Sequence, residues 1–357
     1  MSTYVKFLIS TFLKSFIFVF LVILSLVFIL NILSELDFFR NIDVKSFFPI
    51  YISILNSPSL IFEMFPFIFL ISTQVFFINL FNDNQIEIFK YSGLKNSRIV
   101  NIIGLFSFFL GIFIIIIFYN LSSNMKNVYL ELKNKYSSDD KYLAVITKNG
   151  LWIKDKIDGN IAIINASKID GVFLKDTIIS EFNENFDVQR NIQSNKIDIK
   201  KKEWIAYNVT VYENNTVTKK TNLKIVTNFD YEKIQSLFSN LSSLSLLKLI
   251  NLKKNYQSLN YSTTEVDLQL LKIITFPIYL TLMTLFSSVI MFATKKQKGS
   301  TFKISFGLFA SVVIYYINNF FNVMGKTEKI SLISSIIIPL AILIIINVTL
   351  LYRINEK

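Results

Sequence analysis

The sequence predicts an α-helical integral membrane protein with six transmembrane helices, set three and three around an inserted all-β domain. Three observations carry this. Six windows of about 20 residues are almost free of charge, the length a helix needs to cross a hydrocarbon core of about 30 Å. Between the third and fourth windows, residues 126–272 lose that character and run in short alternating stretches bounded by turn residues. Charged residues make up only 17% of the chain, against roughly 25% in a soluble domain, and they cluster between the windows.

Span 1 is the uncharged window 15–34, extended by residues 7–13 ahead of Lys14. It is too long for a signal peptide, and no small-residue cleavage site follows it. Residues 46–62 are also uncharged, but Pro49 and Pro58 interrupt them, so they read as an interfacial approach. Span 2 follows at 64–82 and span 3 at 99–125. Spans 4, 5 and 6 are expected at 273–294, 304–325 and 330–352. Pro66, Pro277 and Pro339 then fall near the outer ends of spans 2, 4 and 6, where bends could splay a cavity. A first-turn proline also costs little and needs no function.

Lysine and arginine in the short segments set the orientation. With the N-terminus inside, the inner segments carry Lys6, Lys14, Lys90, Lys95, Arg98, Lys295, Lys296, Lys298, Lys303, Arg353 and Lys357. The outer ones carry only Arg40, Lys45, Lys326 and Lys329. Both termini are therefore expected in the cytoplasm and the long insert in the periplasm. The net charge of +12 is read as this asymmetry and not as a nucleic-acid footprint. The expected division is 1–125 for spans 1–3, 126–260 for the β domain with its connecting helices, and 261–357 for spans 4–6.

Within the insert, YLAVIT (142–147) and LWIKD (151–155) read as a hairpin turning at Asn149-Gly150. Further strands are expected in 159–166, 170–176, 195–201, 203–213 and 216–227, at spacings suited to a sandwich or roll. Residues 231–240 and 242–259 then show helical spacing. Leu244, Leu246, Leu247, Leu249 and Ile250 form a broad apolar face, either lying on the membrane or capping the open end of the β domain.

Several function classes drop out. The chain has no cysteine and no histidine, which removes disulfides, zinc and haem ligation by those residues, and histidine acid–base chemistry. No cofactor is expected. There is no nucleophile elbow and no phosphate-cradling glycine loop, so any ATP hydrolysis belongs to another subunit. The charge-free windows hold no acid, which argues against a lipid-modifying enzyme.

The segment between spans 2 and 3, NDNQIEIFKYSGLKNSR (82–98), is the most specific local feature. It has no proline, and its one glycine, Gly93, stands where a helix would end. Asn82 or Asp83 could cap the start. Ile86 and Phe89 fall on one side, with Ile88 and Tyr91 near it, and Glu87 and Lys90 three apart on the polar side. A short amphipathic helix over 83–94 suits docking to a soluble partner; the plainer alternative is a basic topological loop.

QIEIFKYSGLKNSRI resembles the corresponding cytoplasmic segment of the lipopolysaccharide-export permeases, the LptF/LptG family. Lys90, Ser92, Gly93 and Leu94 fit that family's pattern. GLWIKD (150–155), SPSLIFEMFPF (57–67) and YYINNFFNVMG (315–325) are similar to stretches of its LptG half. VDLQLLKIITFP resembles the family's entry to span 4, with Asp267 and Lys272 in the charged positions. The resemblance spans nearly the whole chain and implies a permease subunit with no catalytic site of its own.

The resemblance also implies partners. These are a cytoplasmic LptB-like ABC ATPase dimer, a sister six-span permease of LptF type, a periplasmic jellyroll bridge protein, and lipopolysaccharide as cargo. Gln85, Ile86, Ile88, Phe89, Lys90, Ser92 and Gly93 would form the ATPase-coupling helix. Gln85 replaces the family's glutamate, so that contact loses its ion pair. Arg40 and Lys45, beyond span 1, are candidates for lipid phosphates, or Arg40 pairs with Asp37 or Asp43. Tyr315, Asn318, Asn319 and Asn322 are candidates for a cavity wall, or the asparagines tie helices together. A lipoprotein-release or mechanotransmission permease is the alternative, although those usually place their domain after span 1.

Overall fold

A computed structural model describes residues 2–136, 151–157, 160–183, 187–213, 216–231, 234, 240–258, 262–293 and 299–355. The helices are α1 (Thr3–Phe38), α2 (Phe48–Asn82), α3 (Gln85–Tyr91), α4 (Asn96–Phe113), α5 (Asn120–Asn134), α6 (Leu246–Ser258), α7 (Thr264–Ala293), α8 (Ser300–Lys326) and α9 (Leu332–Asn355). A π-helical turn, Ile114–Tyr119, joins α4 to α5 into one continuous span. With that fusion, α1, α2, α4–α5, α7, α8 and α9 are, among the described residues, the six helices long and apolar enough to cross a membrane. The chain divides into two compact units, Met1–Tyr129 with Thr264–Lys357, and Leu130–Thr263.

Lipid tails give apolar helices little reason to associate, so close backbone approach and a few polar bonds must hold them. α2 and α7 are the most buried spans. α4 meets α7 through Gly104, Ser107 and Gly111. A side chain at Gly111 would start 2.9 Å from the Pro277 Cα, and one at Gly104 would start 2.9 Å from a Leu285 methyl. Between them Thr284 Oγ1 donates to Ser107 Oγ at 3.1 Å. Ser287 Oγ donates to the Leu70 carbonyl at 2.8 Å, joining α7 to α2. Asn347 Nδ2 reaches the Leu282 carbonyl at 3.1 Å, joining α9 to α7.

Three expectations are corrected. Residues 48–62 are not an interfacial approach but the first turns of α2. Pro49 sits in the first turn, where its missing N–H is harmless. Pro58 and Pro66 lie inside the helix, and Ser53 and Ser57 return hydrogen bonds to carbonyls four residues back, at 2.8 and 2.6 Å. Pro277 and Pro339 are likewise internal, because α7 starts at Thr264 and α9 at Leu332. The helices also include acids. Glu35 lies buried in the last turn of α1, and Glu63 lies within α2.

In the second unit, β1 (Leu151–Ile157), β2 (Asn160–Asp170), β3 (Phe173–Phe182), β4 (Val188–Asp198), β5 (Glu203–Glu213) and β6 (Thr216–Val226) form one antiparallel sheet in sequential order. A roll, not a two-sheet sandwich, is what the described strands make. One face is largely apolar over the middle of β1–β5. Ile153, Ile164, Ile179, Ile192 and Val211 pair in one buried row, and Leu151, Ala166, Thr177, Ser194 and Val209 in the next. Asp176 and Asn208 take left-handed backbone conformations inside β3 and β5, at unpaired positions with the register unchanged on either side. The register shifts between Glu181 and Phe182, where β3 pairs with β4, and such irregularities bend a sheet.

The bend brings the first strand to the end of the last. The buried Asp155 carboxylate of β1 accepts from Thr227 Oγ1 at 2.6 Å, Asn228 N at 3.0 Å and Asn228 Nδ2 at 2.8 Å. In the same cross-strand row as Asp155, Glu181 of β3 holds Arg190 of β4 bidentately at 2.7 and 2.9 Å, and that hydrogen bonding pushes the guanidinium pKa up. The first strand and turn of the expected 142–155 hairpin, and most of the 231–240 helix, lie outside the described residues. In α6, Leu249 and Leu252 are buried within the unit while Leu247 is 74% exposed.

Two outcomes follow for stability. Gly111→Val drives a branched side chain into Pro277 and is expected to cost about 1–3 kcal/mol, read as a lower melting temperature in detergent. Asp155→Ala leaves buried donors unmatched and is expected to cost about 1.5–3 kcal/mol, read as faster proteolysis confined to residues 130–263.

Candidate functional site

α2 runs on to Asn82, and the two residues Asp83 and Asn84 turn the chain into α3. The caps expected at Asn82 or Asp83 are absent for that reason. Asn84 is the N-cap, in a left-handed conformation with φ 56° and no side-chain capping bond. Asparagine tolerates that region better than most residues. At the other end Gly93 has φ +78°, its N–H donates to the Lys90 carbonyl at 2.9 Å, and Leu94 N–H donates to Phe89 at 2.9 Å. That pair of bonds is a Schellman motif, and it needs a residue free to adopt positive φ. Ser92 Oγ adds a bond to the Ile88 carbonyl at 3.0 Å.

The two sides of α3 have different tasks. Ile86 is 1% exposed and packs in a core with Leu8, Phe12, Phe76, Phe77, Ile99 and Met291. Phe89 joins the edge of that core and meets Phe7 of α1 edge-on at 6.1 Å. These two apolar residues therefore seat the helix on the bundle. Ile88, 53% exposed, and Tyr91, 91% exposed, point away from it together with Lys90, while Gln85 is half-buried. The outward face is apolar in part, rigidly seated, and carried on a seven-residue helix.

α1 and α8 are the least buried of the six spans. α1 buries only the seam of Leu8, Phe12, Ser15, Val19, Val27, Asn31 and Glu35. α8 buries a similar seam and leaves Phe302, Phe306, Phe309, Tyr316, Phe320 and Val323 open. Arg40 and Lys45 are both exposed in the segment after α1, and among the described residues neither makes an ion pair. The pairing of Arg40 with Asp37 or Asp43 does not occur. Tyr315 and Asn319 lie on the open side of α8, with Tyr315 resting 5.9 Å from the Phe67 ring. Asn318 turns inward and lines a small cavity with Tyr279 of α7, and Asn322 is half-buried. The four residues thus divide between the open wall and the packed seam.

Sequence reasoning missed a polar network on the other open span. Asn56 Nδ2 donates to Asn31 Oδ1 at 3.0 Å, and Asn31 Nδ2 donates to the Ser53 carbonyl at 3.0 Å. One turn further, the Tyr129 hydroxyl donates to Glu35 at 2.8 Å. The four-residue spacing of Asn31 and Glu35 was a visible signal, but Glu35 fell outside the charge-free window.

The family model described as lipopolysaccharide export system permease LptF/LptG matches residues 6–353, nearly the entire chain, and covers both kinds of subunit together. No curated protein matches the chain. Six membrane-capable helices, an inserted antiparallel sheet and a match of that extent agree, and the chain belongs to the LptF/LptG family of lipopolysaccharide export system permeases.

Proposed function

We propose that the chain is a permease subunit of an ATP-driven exporter, one that extracts lipopolysaccharide from the outer leaflet of the bacterial inner membrane. The observation that carries this reading is α3. It is seated on the bundle by Ile86 and Phe89 and offers Ile88, Lys90 and Tyr91 outward. A chain without a phosphate-binding loop gains access to ATP only through such a contact. The distribution of lysine and arginine supports placing α3 and both termini in the cytoplasm, and residues 130–263 in the periplasm.

In this reading an LptB-like ATPase dimer receives α3 in a groove. A sister six-span permease covers the open faces of α1 and α8, and the two subunits enclose a cavity facing the outer leaflet. Tyr315 and Asn319 line its wall, and Arg40 and Lys45 meet the lipid phosphates at its mouth. ATP binding closes the ATPase, moves α3, and narrows the cavity. The cargo passes toward the rolled sheet, whose apolar face suits acyl chains, and on to a periplasmic jellyroll bridge. Gln85 meets the ATPase by a neutral hydrogen bond in place of the family's carboxylate, which is a weaker contact.

Ile88→Asp and Tyr91→Asp are expected to weaken ATPase co-purification by at least about 2 kcal/mol, roughly thirtyfold, with the melting temperature unchanged. Full recovery of the ATPase with both variants would defeat the docking assignment. Arg40→Ala with Lys45→Ala is expected to lower the lipopolysaccharide carried per complex, at about 1 kcal/mol for each cation near an anionic lipid surface. Quantifying bound lipid by mass spectrometry at low and high salt checks this, and the difference should shrink at high salt.

A further inference from the structure

α8 is held along one seam, Lys303, Gly307, Ser311, Ile314, Asn318 and Gly325, spaced three, four or seven residues apart. Into the α3-proximal end of that seam comes one side chain of α2. Gln74 is fully buried, and its Nε2 donates to the Lys303 carbonyl at 2.7 Å. The amide lies where a side chain of residue 307 would be. A Cβ there would fall 2.6 Å from Gln74 Cδ and 2.8 Å from Oε1, so any side chain at 307 displaces the Gln74 amide. The amide is thus both bonded to the backbone of α8 and keyed into a notch in it.

The same end of α8 lies beside the end of α2 that leads into α3. Lys303 Nζ lies 5.4 Å from the centroid of the Phe81 ring of α2. Phe81 packs on the core that contains Ile86, and Phe89 packs on that core too. Gln74 is seven residues before Phe81 on the same helix, about 10 Å along its axis. The far end of α8 packs on other helices: a Cβ at Gly325 would fall 2.6 Å from Ser335 Cβ of α9 and 3.7 Å from a Leu268 methyl of α7, and Lys326 pairs with Glu265 of α7 at 2.8 Å. The hydrogen bond from Gln74 joins α8 to α2.

The geometry points to the Gln74–Gly307 contact as the lock that makes α8 move with α2 and α3, so that Gln74 and Gly307 are positioning residues for transport. This rests on the reading of α3 as the ATPase-docking helix. A displacement of α3 acts on the end of α2 and, through the keyed amide, on α8. The open Phe-rich face of α8 moves with it.

The test uses the full complex with its ATPase in liposomes containing lipopolysaccharide, and reads lipid released per ATP hydrolysed. Gly307→Ala alone is expected to reduce assembled complex, because the methyl meets the amide. Gln74→Ala with Gly307→Ala exchanges volume across the contact and removes the hydrogen bond. In that double variant hydrolysis is expected to persist while release per ATP falls at least about fivefold, the low end of ordinary coupling between sites. Gln74→Ser is read in the same way if the double variant fails to assemble. Unchanged release per ATP overturns the lock.

A wild-type complex that hydrolyses ATP but releases no lipopolysaccharide defeats the functional reading, and distances then decide the lock. The chain has no cysteine, so spin labels at Met64→Cys and Tyr316→Cys report only the separation of α2 from the outer half of α8. A change on vanadate trapping that is lost in the double variant supports the lock. A change that survives there, or none in the otherwise wild-type chain, overturns it.

Discussion

The helical unit depends on α2. Apolar helices in lipid gain no hydrophobic energy by meeting one another, so their arrangement rests on a few buried polar bonds and on backbones that come close. Those bonds converge on α2. It takes Asn31 of α1 through Ser53 and Asn56, Ser287 of α7 through Leu70, and the Lys303 carbonyl of α8 through Gln74. Its aromatic residues Phe65, Phe69, Phe76 and Phe77 are fully buried. The same helix ends in the turn that presents α3. A bundle built this way has one central member to which α3 and the two open spans, α1 and α8, are attached.

The β unit solves a different problem. An open six-stranded sheet with a largely apolar face over five strands would expose that face and two edges. The register shift at Glu181 and Phe182 bends it, and Asp155 ties the first strand to the residues following the last. Trp204 is buried in the same place, and its Nε1 donates to the Phe229 carbonyl at 2.9 Å. A buried carboxylate here is held by three donors, which offset the cost of removing it from water.

The span cores were legible because hydrocarbon imposes composition directly. The span ends were not. A helix's own hydrogen bonds continue past the hydrocarbon edge, so α1 runs on through Glu35, α2 begins at Phe48, and α7 starts nine residues before its charge-free window. Strands were legible from alternation, but Asp170-Gly171, expected inside the strand 170–176, makes the turn between β2 and β3, where Gly171 takes φ +57°. For α3, Gly93 was readable because its role is local. The split between seating and outward faces was not, since Ile86 and Ile88 look alike in sequence and differ only in what surrounds them. Gln74 is the extreme case. Its partner lies 229 residues away, and nothing near either residue announces it. The π-helical turn after Phe113 likewise has no local signature in a run of isoleucines.

In the proposed function α3 is the point at which a partner's ATP hydrolysis acts on the chain. The most direct measurement is a mild-detergent pull-down of the tagged chain from its own membranes, with mass spectrometry of the proteins and lipids retained. The account predicts a sister six-span permease, an ABC ATPase and bound lipopolysaccharide in one complex. Recovery with no ATPase, or of an ATPase with lipoproteins and no lipopolysaccharide, would contradict it.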